Sequence, residues 1–434
     1  MFFQKFLLLR VGLCLALMMT IRLASAQDIS AKIIELQQQP IKVVEKEAEL
    51  LYRTEQYAET YPYYKALESM KGRSGLDEQY RLGKSALYAK RYEESYQKLK
   101  ILLPKAKKYP LVHYEYALAL KYNGEYILAN QYFQSFLTNY AAELPKSYTE
   151  LAQIHLQSCQ KILEEREKTS NWSMGYFEDV DAQQATIYRG QTKMSKYNIA
   201  LIECQTAEGI CIKKVFPDNR IELLRGAVGN PVFNSSSPHI APDGETVYFS
   251  QQELGKAEHH IFVGKLASNG EIVDIRKLGP TINRIGYSST HPTIGRTERG
   301  QEILYFASTL PGSQGGYDIW YAVKTIEGEF TQAYNLGTRI NGAGDEVTPF
   351  YYQADGELYF SSEKPQGYGG LDVYRMTGEK RRWEENQAQQ LPNPINSKAN
   401  EYHYKKYNST EGSFTTDRKG KKDQTVKVKK NIGA

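Results

Sequence analysis

The stretch Ser237-Pro238-His239-Ile240-Ala241-Pro242-Asp243-Gly244, followed by Val247-Tyr248-Phe249-Ser250, decides how the chain folds. It returns three times in altered form. Glu298-Arg299-Gly300 leads into Leu304-Tyr305-Phe306-Ala307-Ser308, Ala354-Asp355-Gly356 into Leu358-Tyr359-Phe360-Ser361-Ser362, and Thr410-Glu411-Gly412 into Ser413-Phe414-Thr415. Gly244, Gly300, Gly356 and Gly412 are each 56 residues from the next. A turn glycine and an aromatic β-run at a fixed long period mark repeated small sheets. Each glycine is expected to supply the positive φ of a hairpin turn. Three units open on a Pro-containing strand: Ser237-Pro238-His239, His291-Pro292-Thr293 and Thr348-Pro349-Phe350. A third strand follows in Ile261-Phe262-Val263, Asp318-Ile319-Trp320-Tyr321 and Asp372-Val373-Tyr374, and each unit leaves through Ile282-Asn283, Ile340-Asn341 or Ile395-Asn396. Short strands with Gly, Pro and Asn turns read as the blades of a β-propeller.

Residues 184–434 span 251 positions, about 4.5 units of 56. A closed ring needs a whole number. Five blades are expected, with the last built from Tyr404–Lys430 plus a strand from near Thr186, so that the ring has no edge. Six blades is the alternative. Asp318 and Asp372 read as acceptors of backbone N–H bonds that lock neighbouring blades. A metal role is not assigned, because no second carboxylate recurs beside them in the sequence.

Upstream, residues 28–168 carry helical periodicity, as in Ala48-Glu49-Leu50-Leu51-Tyr52 and Tyr114 to Tyr122. Tyr57, Tyr92 and Tyr126 recur at spacings of 35 and 34. Three residues on come Thr60, Ser95 and Ala129, and seven on come Tyr64, Leu99 and Phe133. This pattern resembles the tetratricopeptide repeat, in which antiparallel helix pairs stack because one pair cannot bury its own apolar face. The expected fold is therefore α and β in separate domains, an N-terminal α-solenoid followed by an all-β propeller. In that register the helical groove carries Glu49, Tyr52, Arg53, Tyr80, Lys84, Tyr88, Tyr114, Lys121 and Tyr122. Tyrosines interleaved with charges suit a peptide or protein groove; ordinary solvated helix faces would also account for them. Residues 169–183 lose periodicity and read as a packed linker.

The first 26 residues have the form of a secretory signal peptide: basic Lys5 and Arg10, an apolar run from Val11 to Ile21, and Ala24-Ser25-Ala26 before the cut. The run is short for an uncleaved anchor, and no later stretch reads as a transmembrane helix. Cys204 and Cys211 flank a short loop between β-like runs; they read either as a hairpin disulfide or as two packed thiols. Cys159 falls in a helical pattern as a buried small side chain. The net charge is +5, and from Tyr404 onward nine Lys or Arg stand against three Asp or Glu. With the charge confined to that tail, no basic face covers the molecule and nucleic acid is not an expected partner. The tail reads as a solvated or frayed end, with phosphate or anionic-lipid contact as the alternative.

The Ser-Pro…Pro-Asp-Gly run at Ser237–Gly244 resembles the signature of WD40-like, TolB-type propeller repeats. Phe306-Ala307-Ser308 with Gly315-Gly316-Tyr317-Asp318-Ile319-Trp320, and Phe360-Ser361-Ser362 with Gly369-Gly370-Leu371-Asp372-Val373-Tyr374, resemble the same repeats in Bacteroidota envelope proteins. The order of signal, tetratricopeptide-like helices and propeller is similar to the front of envelope proteins that continue into an OmpA-like peptidoglycan-binding domain, among them an accessory of type IX secretion and gliding. The resemblance implies an exported, periplasmic protein at the outer membrane, holding envelope proteins as a non-enzymatic scaffold. The sequence stops at Ala434 without that domain, so direct peptidoglycan binding is not expected. A glycan- or peptide-binding propeller acting as sensor or nutrient-capture accessory is the first alternative, and a propeller hydrolase or lyase the second.

No catalytic motif, zinc motif or phosphate loop is found, so no catalytic residue, metal or cofactor is assigned. His291 and His403 both stand nine residues before a ladder glycine and could face the ring's channel together. A glycosidase would need two placed carboxylates, which sequence alone does not reveal.

Overall fold

The computed structural model describes residues 26–166, 170–179, 195–206, 209–218, 220–226, 228–229, 233–297, 299–377, 387–418 and 423–431. Apart from Ala26, the signal-like segment 1–26 lies outside the described residues, as does the strand expected near Thr186. The chain divides into two compact units. One holds residues up to Leu120 and Gln131–Ala152, the other Lys121–Asn130 and Gln153–Ala434.

Among the described residues eight α-helices come first: α1 (Ala26–Gln37), α2 (Ile41–Arg53), α3 (Tyr57–Lys71), α4 (Leu76–Tyr88), α5 (Tyr92–Lys100), α6 (Val112–Tyr122), α7 (Tyr126–Asn139) and α8 (Lys146–Arg166). In the first unit α2 packs on α3, α3 on α4 and α4 on α5, while α1 packs on α3. Ser95 donates to the carbonyl of Gly83 at 2.8 Å, and a Cβ on Gly83 would lie 2.9 Å from Leu99. The small residues are therefore what lets α4 and α5 approach. Leu36, Val44, Ala48, Tyr61, Tyr64, Leu67, Leu82 and Ala86 form its core. Gly72, at φ 68°, ends α3 in the left-handed turn that favours glycine.

The second unit contains a five-bladed propeller. Blade one is β2 (Ala200–Thr206), β3 (Gly209–Val215) and β4 (Ile221–Leu223); blade two is β5 (Phe233–Ile240), β6 (Thr246–Glu253), β7 (His259–Leu266) and β8 (Ile272–Lys277). Blade three is β9 (Ser289–Arg296), β10 (Glu302–Ser308), β11 (Asp318–Val323) and β12 (Tyr334–Asn335); blade four is β13 (Glu346–Tyr352), β14 (Glu357–Ser362), β15 (Asp372–Thr377) and β16 (Gln389–Gln390). Blade five combines β17 (Glu401–Lys406), β18 (Glu411–Thr416) and β19 (Gln424–Lys430) with β1 (Trp172–Asp179), in the order β1-β19-β18-β17. All described pairings are antiparallel.

Three expectations change here. The stretch read as a linker, 169–183, contains β1, which pairs with β19 and supplies the blade-completing strand in place of the one sought near Thr186. The basic tail is not a frayed end: β19 lies between β1 and β18 and buries Val426 and Val428, leaving alternate lysines outward. Gly412 is not a turn glycine. Gly244, Gly300 and Gly356 have φ of 75°, 78° and 63°, but Gly412 sits inside β18 opposite Val428. The Asn408 side chain makes that turn instead, accepting from the N–H groups of Thr410 and Glu411. Gly412 has a packing reason, since a Cβ there would meet the Lys405 carbonyl at 2.8 Å.

The Ile-Asn step has a physical cause that the sequence did not show. Asn341 accepts from Ile319 N–H at 2.8 Å and donates to the Ile319 carbonyl at 3.0 Å. Asn283 does the same to Ile261, and Asn396 to Val373. Each amide satisfies a buried stretch of third-strand backbone where the short outer strand has ended. The Ile beside it is fully buried in all three blades. Asn341→Ala is therefore expected to cost about 1–3 kcal/mol, because it leaves the buried Ile319 N–H unpaired while the carbonyl keeps Leu336 N–H. Chemical denaturation would measure this; a loss under about 0.5 kcal/mol would contradict the role assigned to the amide.

Candidate functional site

The inner strands of blades two to five, β5, β9, β13 and β17, converge on a cavity of about 100 Å³. Each contributes the same short segment: Ser237-Pro238-His239, His291-Pro292-Thr293, Thr348-Pro349-Phe350 and Tyr402-His403-Tyr404-Lys405. Leu201 and Glu203 of β2, Thr415 of β18 and Asp423 complete the lining. All four inner strands carry a bulge at this level. At the bulge stand Ser237, His291, Thr348 and His403, with φ of 51°, 51°, 49° and 53°. These are left-handed conformations that non-glycine residues seldom adopt, and such outliers concentrate at working sites. Proline suits these strands because an inner strand has one unpaired edge.

His291 and His403, expected to face the channel together, do so with ring centroids 5.5 Å apart and planes at 71°. Burial drives His291 well below the ordinary histidine range, and His403 and His259 add to the effect. Burial pushes His403 to about 4, aided by Lys405. Both rings are therefore neutral near pH 7.

The same cavity is lined by groups that the sequence did not single out. Glu203 Oε2 accepts from Ser237 N–H at 2.7 Å. Burial raises its pKa, against that bond and the charge of Lys405. Asp423 is exposed as a residue, yet desolvation of its carboxyl raises it, opposed by the Tyr402 phenol and reinforced by Asp417 and Glu203. Lys405 is pushed down to about 8 by burial, with Glu203 pulling the other way. Glu203, Lys405 and Asp423 sit in blades one and five, where the repeat signature is faintest. The signal that could have found them is positional: Lys405 lies two residues beyond the bulge, as His239, Thr293 and Phe350 do. Among the described residues no group of three His, Cys, Asp or Glu is placed to hold a metal.

The remaining sequence-selected residues fall elsewhere. In the helical unit Glu49 pairs with Arg53 at 2.7 Å and with Arg81. Tyr52 packs edge-on against Tyr57 and Tyr64, and Tyr80 stacks on Tyr109. Tyr88 is half exposed. Three groove assignments are corrected. Lys84 is buried in an ion pair with Glu115 at 3.2 Å, and Tyr114 is buried against Phe133 and Phe136. Lys121 belongs to the second unit and is fully buried, its Nζ donating to the Pro365 carbonyl at 2.6 Å. Tyr122, also in the second unit, packs edge-on against His155. Cys204 and Cys211 stand directly opposite on β2 and β3 and are joined as a disulfide. Cys159 is buried as a free thiol.

Asp318 and Asp372 act inside their own blades. Asp318 accepts from Gln314 N–H, Gly315 N–H and the Asn335 amide, and Asp372 from Gly369 N–H. The bonds between blades are made by Asp345, which accepts from Tyr317 N–H, and Asn400, which accepts from Leu371 N–H. A second carboxyl does recur nearby: Glu346 near Asp318 and Glu401 near Asp372, all four buried. They are distant in sequence, so adjacency could not reveal them.

Neither a protein family nor a curated protein matches the chain. Among solved structures, the arabinanase Arb43A of Bacillus subtilis is 15% identical, over 52% of this chain and 88% of that one, with a TM-score of 0.36. The GH43 endo-arabinanase of Bacillus licheniformis is 13% identical, over 54% and 90%, with a TM-score of 0.38. The hydrazine synthase of Kuenenia stuttgartiensis is 12% identical, over 54% and 37%, with a TM-score of 0.34. At these values the likeness assigns no activity. The expectation of a non-enzymatic chain is not carried further: several of the similar structures are arabinanases. No helix among the described residues is long and apolar enough to cross a membrane.

Burial pushes Glu346 up to about 7, opposed by Ser362 and Gly342 and reinforced by Asp318. Its folded value lies above its unfolded one, so the folded state holds the proton longer. The associated stability is present below about pH 4.5 and is lost as pH rises to about 7. Glu346→Gln is expected to flatten the fall in melting temperature across that window. An unchanged slope would show that Glu346 is ionised in the fold.

Proposed function

We propose that the ring's centre binds the terminal sugar of a glycan and hydrolyses its glycosidic bond. The observation that carries this reading is the pair of carboxyl groups, Glu203 and Asp423, that line one cavity. Burial raises Glu203, opposed by its bond from Ser237 N–H and by Lys405. Asp423 is pushed toward its protonated form by desolvation of its carboxyl and by Asp417 and Glu203. Two carboxyls beside one bound sugar suit a base and an acid. Asp423 would protonate the leaving oxygen as the C–O bond breaks, and Glu203 would take the proton of the attacking water. The remaining lining matches a sugar. Neutral imidazoles, the hydroxyls of Ser237, Thr293 and Thr348, and the Tyr402 phenol can each donate and accept, as sugar hydroxyls do. Three prolines and Phe350 offer apolar surface to the C–H face of the ring. The cavity is well below the roughly 300–1,000 Å³ of sites for larger molecules, which favours one sugar ring at a chain end.

The signal-like start and the Cys204–Cys211 bond support placing this activity outside the cytoplasm. The helical unit, with Leu50, Arg53 and Tyr88 exposed, would then hold an envelope protein, in keeping with the resemblance to outer-membrane-associated proteins.

The test is release of monosaccharide from soluble polysaccharides, arabinan and xylan included, by the full-length chain. Glu203→Gln and Asp423→Asn should each lower the rate by about 10²–10⁴-fold with the circular dichroism spectrum unchanged. No sugar released from any polymer, or full activity in both variants, would sink the reading.

A further inference from the structure

The bend at the cavity wall has to be held. A non-glycine residue in the left-handed region costs on the order of 1–3 kcal/mol, and a following proline disfavours helical backbone further. Three of the four bends are caught by the preceding blade. Glu203 accepts from Ser237 N–H at 2.7 Å, Ser250 from His291 N–H at 3.1 Å, and Thr348 from His403 N–H at 3.1 Å. In these three cases a blade sets the backbone of the next at the level of the cavity. Where blade two has Ser250 after Tyr248-Phe249, blade three has Ala307 after Tyr305-Phe306, which has no side-chain oxygen to offer Thr348.

Ser250 does not line the cavity. It is fully buried on β6, and its Oγ also accepts from Thr290 Oγ1 at 3.1 Å, so one hydroxyl fixes two successive residues of β9. The fixed residue, His291, keeps a buried Nδ1 with no protein partner and faces His403 across the cavity. A neutral imidazole carries one donor and one acceptor nitrogen. Two such rings set nearly at right angles can bind two neighbouring hydroxyls, each as donor or acceptor.

We propose that His291 and His403 grip adjacent hydroxyls of the bound sugar, and that Ser250 is the positioning residue that aims His291; this rests on the cavity being the sugar site. The charged and titratable groups around the pair are consistent with neutral rings. His291 faces His403 on β17 and His259 on β7, with His239 on β5. His403 faces Lys405, with Asp423 and, through Ser237, the neighbourhood of Glu203. Protonating either ring would set a positive charge against the other ring and Lys405.

The test compares the wild-type chain with Ser250→Ala, Ser250→Thr and His291→Gln. Without ligand, the imidazole resonances are followed by NMR as pH is lowered. His291 should titrate well below pH 6 in the wild type and about one unit higher in Ser250→Ala, where the ring is freed toward solvent. Ser250→Thr should restore the wild-type midpoint. On whichever polymer the wild type hydrolyses, Ser250→Ala and His291→Gln should raise KM about tenfold and leave kcat within about twofold. A Ser250→Ala variant that melts lower but keeps the His291 midpoint and KM would reduce Ser250 to a packing residue and overturn the proposal. Hydrolysis that survives His291→Gln with unchanged KM would overturn the grip while leaving the sugar site standing. Absence of hydrolysis in the wild type would instead remove the site and the grip with it.

Discussion

Ring closure is the constraint on which the rest of the propeller depends. A sheet domain of 4.5 sequence units cannot close as it stands, because its end blades would expose unpaired strand edges. Here the pairing of β1 with β19 resolves this: the strand that enters the sheet domain joins the strand that leaves it. Trp172 and Phe177 of β1 pack against the cluster of Tyr359, Val373, Tyr404, Phe414 and Val426 that joins blades four and five. Only with the circle closed do the bulged inner strands face one another, and only then do His291 and His403, 112 positions apart in the sequence, come within 5.5 Å.

Much of this architecture could be read from the chain because it repeats. A period of 56 with Pro-bearing first strands specified blades, and the count of residues pointed to five, with six as the alternative. The Ile-Asn step was visible, although its reason, a side-chain amide substituting for a missing outer strand, is a matter of buried backbone and needed coordinates. What does not repeat was misread. Trp172–Asp179 has no blade signature, so it looked like a linker. Gly412 kept the ladder's spacing after the turn had moved to Asn408.

The site follows the same division. The two imidazoles were legible because they occupy equivalent positions in two repeats. Glu203, Lys405 and Asp423 come from blades one and five, where no neighbouring unit provides a comparison. Their chemistry depends on burial and mutual proximity, which no sequence interval encodes. The helical groove shows the opposite error. Lys84 and Tyr114 had the spacing of an open face, but Lys84 is drawn inward by Glu115, and Tyr114 by Phe133 and Phe136.

The central claim is that the middle of the ring is a sugar site and not merely an axle. Crystals soaked with the monosaccharide released from the best polymer test it most directly. The account predicts one sugar ring among His291, His403, Glu203 and Asp423, with hydroxyls within hydrogen-bond distance of both imidazoles. Sugar bound only elsewhere, or a ring centre filled by the protein's own chain, would contradict it.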